Sequence, residues 1–147
     1  TIGADTIYTR IIDERFPDYQ SVIPTDNEKE IKVGCNNLLS AVKRVSIFSN
    51  KSTHQIAIRV ESGSATVTTE DPEKASKAQE TIEIEYAGDP IDVGYNAAYL
   101  KDILSHMNSN EIVIKLNTPI SAGLFYPTPP NDNVDVTMLL MPIRLND

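Results

Sequence analysis

The chain has 147 residues, 40% of them hydrophobic, a formal net charge of −8 and a single cysteine. That length suits one domain with a proper core, and the lack of a long apolar run excludes a transmembrane helix or a secretory core segment. One cysteine excludes an internal disulfide framework and a cysteine-based zinc site, and the acidic balance by itself argues against non-specific nucleic-acid binding.

Residues 1–13 read as a strand, because Thr6-Ile7-Tyr8-Thr9-Arg10-Ile11-Ile12 is rich in β-branched residues and roughly alternates. No partner strand follows it locally, and a lone strand is not stable. It is therefore expected to fray or to pair with another copy. Residues 16–25 read as an extended linker bracketed by Pro17 and Pro24.

From residue 28 the pattern runs strand, helix, three strands, and then repeats. The first unit opens with a strand at 30–33 and a helix over 36–48 that places Leu38, Leu39, Val42 and Val45 on one face. Cys35 at its start reads as a buried thiol, which fits a reducing cytoplasm. Strands are predicted at 55–61, 65–70 and 81–86, with Ser62-Gly63-Ser64 as a turn. The second unit has a strand at 91–95 and a helix capped by Asn96, with Leu100, Ile103, Leu104 and Met107 as its apolar face. Strands follow at 111–117, 120–126 and 134–144, with an exposed loop at 127–133. Two copies of one unit indicate an internal duplication. The implied class is α+β, with two helices side by side on one face of curved antiparallel sheets.

The last strand stands out. It alternates at first and becomes almost wholly apolar from Met138, as strands buried on both faces do. Pro142 ends the ladder, so Pro142, Ile143, Arg144 and Leu145 leave the sheet with apolar groups still to cover. Such a chain end fits a docking surface. By pattern alone a closing strand that plugs its own core is the favoured reading.

No catalytic constellation emerges. His54 and His106 read as solvated loop or helix-end residues, and there is no phosphate-cradling glycine loop, nucleophile elbow or His-Glu-x-x-His helix. Glu70, Asp71, Glu73 and Glu80 cluster, but without the spacing of a calcium loop. They read as a solvated face.

Four segments carry a resemblance to a known family. Met141-Pro142-Ile143-Arg144-Leu145 resembles the closing motif of the bacterial sliding clamp, the beta subunit of DNA polymerase III. Ile12-Asp13-Glu14-Arg15-Phe16-Pro17-Asp18-Tyr19 with Val22-Ile23-Pro24 resembles the crossing between its second and third domains. Gly34-Cys35 leading to Ile47-Phe48-Ser49-Asn50, and Val93-Gly94-Tyr95-Asn96-Ala97-Ala98-Tyr99-Leu100, match in order and spacing. The resemblance implies a DNA clamp fold. Residues 1–24 would be the last strand of the middle domain plus the linker, and 25–147 the third domain. The chain would then be an excised portion, consistent with a start other than Met.

The family's function is non-catalytic and needs no cofactor or metal. A head-to-tail homodimeric ring encircles duplex DNA and tethers the replicative polymerase, the clamp loader and repair proteins in the cytoplasm. Partners insert short motifs carrying Leu and Phe into a pocket. The resemblance places in that pocket Pro17, Val22, Asn96, Tyr99, Ile120, Ala122, Leu139, Met141, Pro142, Ile143, Arg144 and Leu145. Asn96 also fits a pure helix cap, and Tyr99 a core aromatic. Lys43, Arg44 and Lys101 would face DNA, opposed by Asp102. Ile47, Phe48, Glu70, Glu73 and Glu80 would lie at the ring seam. Thr53 replaces a rim aromatic of some relatives, and Asn146-Asp147 extend past the usual terminal Leu. With one pocket wall and the first domain missing, this chain is expected to bind the motif weakly and to form no native ring. A free-standing peptide-binding module that never encircles DNA is the alternative.

Overall fold

In the computed structural model, which describes residues 3–6, 8–130 and 134–145, the two predicted units are present and exchange strands. The first unit comprises β1 (Lys29–Gly34), α1 (Cys35–Ser46), β2 (Gln55–Glu61), β3 (Ser64–Asp71) and β4 (Ser76–Glu83). The second comprises β5 (Ile91–Asn96), α2 (Ala97–His106), β6 (Glu111–Leu116), β7 (Gly123–Thr128) and β8 (Met138–Leu140). One antiparallel sheet has the order β1-β6-β7-β8 and the other β4-β3-β2-β5. Each unit therefore gives its first strand to the other unit's sheet.

The two seams between the sheets are closed alike. Lys32 of β1 pairs with Glu85 beyond β4, and Gly94 of β5 pairs with Ile143 beyond β8. The helix starts are also matched. The amide of Cys35 donates to the carbonyl of Asn110 and that of Ala97 to the carbonyl of His54, both at 2.8 Å. Each bond satisfies an N-terminal helix donor that has no partner within its own helix.

The core lies between the helices and the sheets. Leu38, Ala41, Val42 and Val45 of α1 and Leu100 and Leu104 of α2 meet Ile31, Val33, Ile56, Ile58, Val60, Val67, Val93 and Phe125 from the strands. Met107 joins them just past α2. Tyr95 and Phe125 meet edge to face at 6.2 Å, a favourable aromatic geometry. Leu39 and Ile103 are only half-buried, at the margins of the two apolar faces.

Several expectations need correction. No strand forms among the described residues of 3–18. They are exposed, and Thr1, Ile2 and Ile7 lie outside the described residues. A strand needs a neighbour to share its hydrogen bonds, and among the described residues no strand lies beside this segment. The linker is not extended throughout, since Tyr19–Val22 form a 3-10 turn capped by Asp18, whose Oδ1 accepts from the amide of Gln20 at 3.2 Å. The strand predicted at 81–86 begins at Ser76. The one predicted at 120–126 begins at Gly123, because 118–121 form a turn in which the Ser121 Oγ accepts from the amide of Thr118 at 2.9 Å.

The closing strand is the largest correction. Only Met138–Leu140 form a strand, paired with β7, and they are not buried on both faces. Leu140 faces the core, Met138 and Leu139 are half-buried, and Met141 is 61% exposed. Pairing with β7 stops at Phe125–Met138, where β7 runs into Pro127 and has no amide to offer. Pro127 and Thr128 belong to β7 rather than to the expected loop, and residues 131–133 of that loop lie outside the described residues.

Candidate functional site

The tail beyond β8 builds one surface. Because β-strand side chains alternate, Leu140 turns inward while Leu139 and Met141 turn outward. Leu139 pairs with Leu124 of β7, which is buried on that outer side, apart from the main core. The tail then crosses to the other sheet, where the amide of Ile143 donates to the Gly94 carbonyl at 2.8 Å. A Cβ at position 94 would stand 2.4 Å from the Ile143 carbonyl oxygen and 2.8 Å from Leu145 Cδ2. Only glycine lets the tail come this close.

Beside the crossing opens a cleft of about 390 Å³ lined by Asp92, Pro119, Ile120, Arg144 and Leu145. Its apolar members, Ile120 at 59% exposure and the half-buried Leu145, are accessible. Asp92 is held by Arg59 at 3.2 Å, so Arg144 is the cation at this mouth that has no ion pair among the described residues. Arginine's planar fork suits a carboxylate or carbonyl.

Asn96 is the N-cap of α2, its Oδ1 accepting from the amides of Ala98 at 2.9 Å and Tyr99 at 3.4 Å. Tyr99 is not a core aromatic. It is 65% exposed one turn into α2. Ala122 is buried, and its carbonyl accepts from Asn27 at 3.0 Å. Pro142 and Ile143 are half-buried, whereas Pro17 and Val22 stand exposed on the N-terminal segment, outside the cleft. Thr53 lines a separate hollow with Asn50 and Gln55. Asn146 and Asp147 lie outside the described residues.

The expected seam residues gather around the C-terminal end of α1. Ile47 is 76% exposed and Phe48 partly so, with the Phe48 carbonyl accepting from Ser76 Oγ at 3.2 Å. Glu73 sits on the 3-10 turn Pro72–Lys74 that leads into β4. Glu70 is within 3.9 Å of Lys77. Glu80 is engaged by Arg44, one of the three residues expected to face DNA. The Arg44 Nε lies 2.9 Å from Glu80 Oε2, and its Nη2 bonds the other oxygen. Of the remaining two, Lys101 donates to Ser46 Oγ at 3.2 Å, and Lys43 is exposed without an ion pair among the described residues. The helix face is thus only weakly basic.

Two groups escaped the sequence reading. Asn27 donates to the carbonyls of both Lys115 and Ala122 at 3.0 Å and pins the linker's end to the sheet. A lone Asn in a polar linker gives no signal for this. Gly94 did give one, since a glycine inside a strand pattern marks close backbone approach. No group of three potential metal ligands occurs among the described residues. His106 sits beside Asp102 at the exposed end of α2.

Residues 20–144 match the family model of the DNA polymerase III beta subunit, C-terminal domain. The beta sliding clamp of Caulobacter vibrioides is 34% identical over 145 residues, covering 97% of this chain and 37% of that protein. The Vibrio cholerae clamp is 28% identical over 140 residues, covering 93% of this chain and 36% of that protein. Among solved structures, the Caulobacter crescentus beta sliding clamp superposes with a TM-score of 0.86 at 32% identity, over 93% of this chain and 35% of that one. The Pseudomonas aeruginosa sliding clamp gives 0.85 at 29% identity, over 91% and 36%. The chain spans little more than a third of the length of these relatives. With its repeated unit, exchanged first strands and closing tail, the chain belongs to the DNA polymerase III beta subunit family, the bacterial sliding clamps, and corresponds to their C-terminal domain.

Proposed function

We propose that this chain is the partner-docking portion of a bacterial replication processivity clamp and catalyses no reaction itself. In this reading residues 1–24 are the end of a middle domain and its linker, and 25–147 are the third domain. The complete protein closes as a head-to-tail dimeric ring around duplex DNA in the cytoplasm. It holds the replicative polymerase, the clamp loader and repair proteins through short motifs carrying Leu and Phe. The observation that carries the proposal is the tail. Leu139 lies half-buried on the outer side of β8, Met141 is exposed just past it, and Leu145 lines the cleft with Ile120 and with Arg144, which has no ion pair among the described residues.

The energetics suit a shared, reversible site. Burying one Leu or Phe side chain contributes roughly 1.5–3 kcal/mol. Methionine at 141 adapts to differently shaped ligands. The Asn96 carboxamide is half-exposed, and its Nδ2, which donates to the Thr53 carbonyl at 3.5 Å, has a second N–H left for an extended backbone. The seam reading rests on Ile47 and Phe48, exposed apolar groups flanked by acids. Apolar contacts there would supply affinity, and the acids register.

The test is binding of a fluorescein-labelled peptide carrying a Leu and a Phe, followed by anisotropy, to the wild-type chain, Met141→Ala and Arg144→Ala. Weak saturable binding, lost by roughly tenfold in Met141→Ala, a loss of about 1.4 kcal/mol, is expected. Equal binding by all three would refute the pocket. Tighter binding by the same chain carrying the two preceding domains is expected from the missing wall. Retention of that longer protein on circular but not linear DNA would separate a ring from a free-standing module.

A further inference from the structure

The fork between Arg44 and Glu80 joins two surfaces that the sequence keeps apart. Along β4, Ser76, Ala78, Glu80 and Ile82 are half-buried while Lys77, Gln79, Thr81 and Glu83 are exposed. Ala78 and Ile82 pack against the core. Glu80 therefore lies on the packing face of the strand, and its side chain is the less exposed partner, at 27% against 61% for Arg44. Arg44 reaches down from the last turn of α1 and meets both carboxylate oxygens. A bidentate arginine–carboxylate pair is the surface ion pair with real geometric definition. The Arg44 hydrogen bonds hold the Glu80 carboxyl below its ordinary range. By contrast Glu83, three residues on, points outward with no ion pair among the described residues.

We infer that Glu80 is a built-in counter-ion that competes with a duplex phosphate for Arg44 and so limits how tightly the helix face grips DNA. This rests on the reading of that face as DNA-facing. With the fork closed, the expected DNA-facing cations left without an ion pair among the described residues are Lys43 and Lys101, the latter hydrogen-bonded only to the neutral Ser46 hydroxyl. A phosphate that recruits Arg44 must displace a partner already seated at hydrogen-bond distance. Each phosphate so neutralised releases counter-ions and steepens the salt dependence. A ring that must travel along a duplex gains from keeping that number small. The carboxylate supplies this limit without removing the arginine.

The experiment uses the whole chain and a labelled duplex of about 20 base pairs, with affinity measured across a salt series. The variants are Glu80→Gln, Glu83→Gln, Arg44→Ala and the double Arg44→Ala/Glu80→Gln. Glu83→Gln makes the same charge change on the same strand without freeing Arg44. Expected is a several-fold tightening in Glu80→Gln beyond that in Glu83→Gln, with the slope of log affinity against log salt steeper by about 0.9. The added slope should vanish in the double variant. Equal tightening by Glu80→Gln and Glu83→Gln overturns the inference and leaves the DNA-facing reading intact. No binding by wild type or Glu80→Gln even at low salt overturns the DNA-facing reading and the inference with it. Thermal unfolding of each variant confirms that folded protein is compared.

Discussion

The amide of Ile143 donates to the carbonyl of Gly94 at 2.8 Å, and by this single backbone pair the chain's tail joins the sheet opposite the one it leaves. Its counterpart in the other unit pairs Lys32 with Glu85 through two bonds, at 2.8 and 3.0 Å. The tail seam thus has one hydrogen bond where the other has two, and it lies beside the candidate cleft.

Gly94→Ala should loosen this seam. Its new Cβ would fall 2.4 Å from a backbone oxygen, which cannot rotate away. The expected loss is about 1–3 kcal/mol, as for overpacking. Amide exchange at Ile143 should accelerate more than exchange at Lys32. Uniform acceleration across both seams would show that the glycine serves the whole fold and not the tail.

Asn96→Ala should cost about 1 kcal/mol in urea unfolding, the usual price of an N-cap. The Asn96 Oδ1 serves two amides, whereas Gly34, which occupies the same place before α1, makes no side-chain cap. Asn96→Asp should retain most of the stability while losing the carboxamide donors. If Asn96→Asp keeps stability but loses peptide affinity, the residue has both roles.

Tyr95 predicts a response to alkali. Its hydroxyl is buried without a hydrogen-bond partner and faces Gly123, where an added Cβ would stand 2.5 Å away. Burial pushes the phenol well above its ordinary value, and burial raises the Cys35 thiol too. Each native group keeps its proton to higher pH than its unfolded counterpart. Stability is thus full below the unfolded pKa and declines as pH rises past it, from about 8.5 for the thiol and about 10 for the phenol. Tyr95→Phe should match or exceed wild type at neutral pH and flatten the decline above about pH 10. Unfolding midpoints measured in urea across that range check it. An unchanged decline in Tyr95→Phe would place the sensitivity elsewhere.

Asp71 is fully buried at the end of β3, with Asn50 Nδ2 at 3.5 Å from one oxygen and Lys74 Nζ at 3.5 Å from the other. The lysine contact is an ion pair that makes no hydrogen bond, so that oxygen remains unsatisfied. A buried charge so loosely partnered is costly. Asp71→Asn keeps the shape and drops the charge, and its melting temperature should equal or exceed that of wild type. Asp71→Ala should fall below both, because it empties the site. Asp71→Asn melting below wild type would mean that the charge itself holds the turn carrying Glu73.

Both helix faces were legible in the sequence because an apolar stripe of helical period needs only its own residues to declare itself. Leu38, Val42 and Val45, and Leu100, Leu104 and Met107, are buried as their spacing predicts. The Asn96 cap was legible for the same local reason. The start of β4 was not, since Lys77-Ala78-Gln79-Glu80 lacks the β-branched residues of a strand. It is extended because β3 offers a complete ladder from Ser64 to Asp71. The closing segment failed in the opposite direction. Its composition promised a strand over 134–144, but β7, which carries Pro127, pairs with only Met138–Leu140.

Local periodicity alone determined the two repeated units, the inward faces of their helices and an apolar chain end that leaves its sheet. Only the tertiary structure decided that each unit lends its first strand to the other, that the tail rests on Gly94, and that Arg44 is held by Glu80. The reason is physical. A residue's spacing encodes which side of its own element avoids water, whereas strand partners and ion pairs depend on which distant surfaces meet once those sides are buried together.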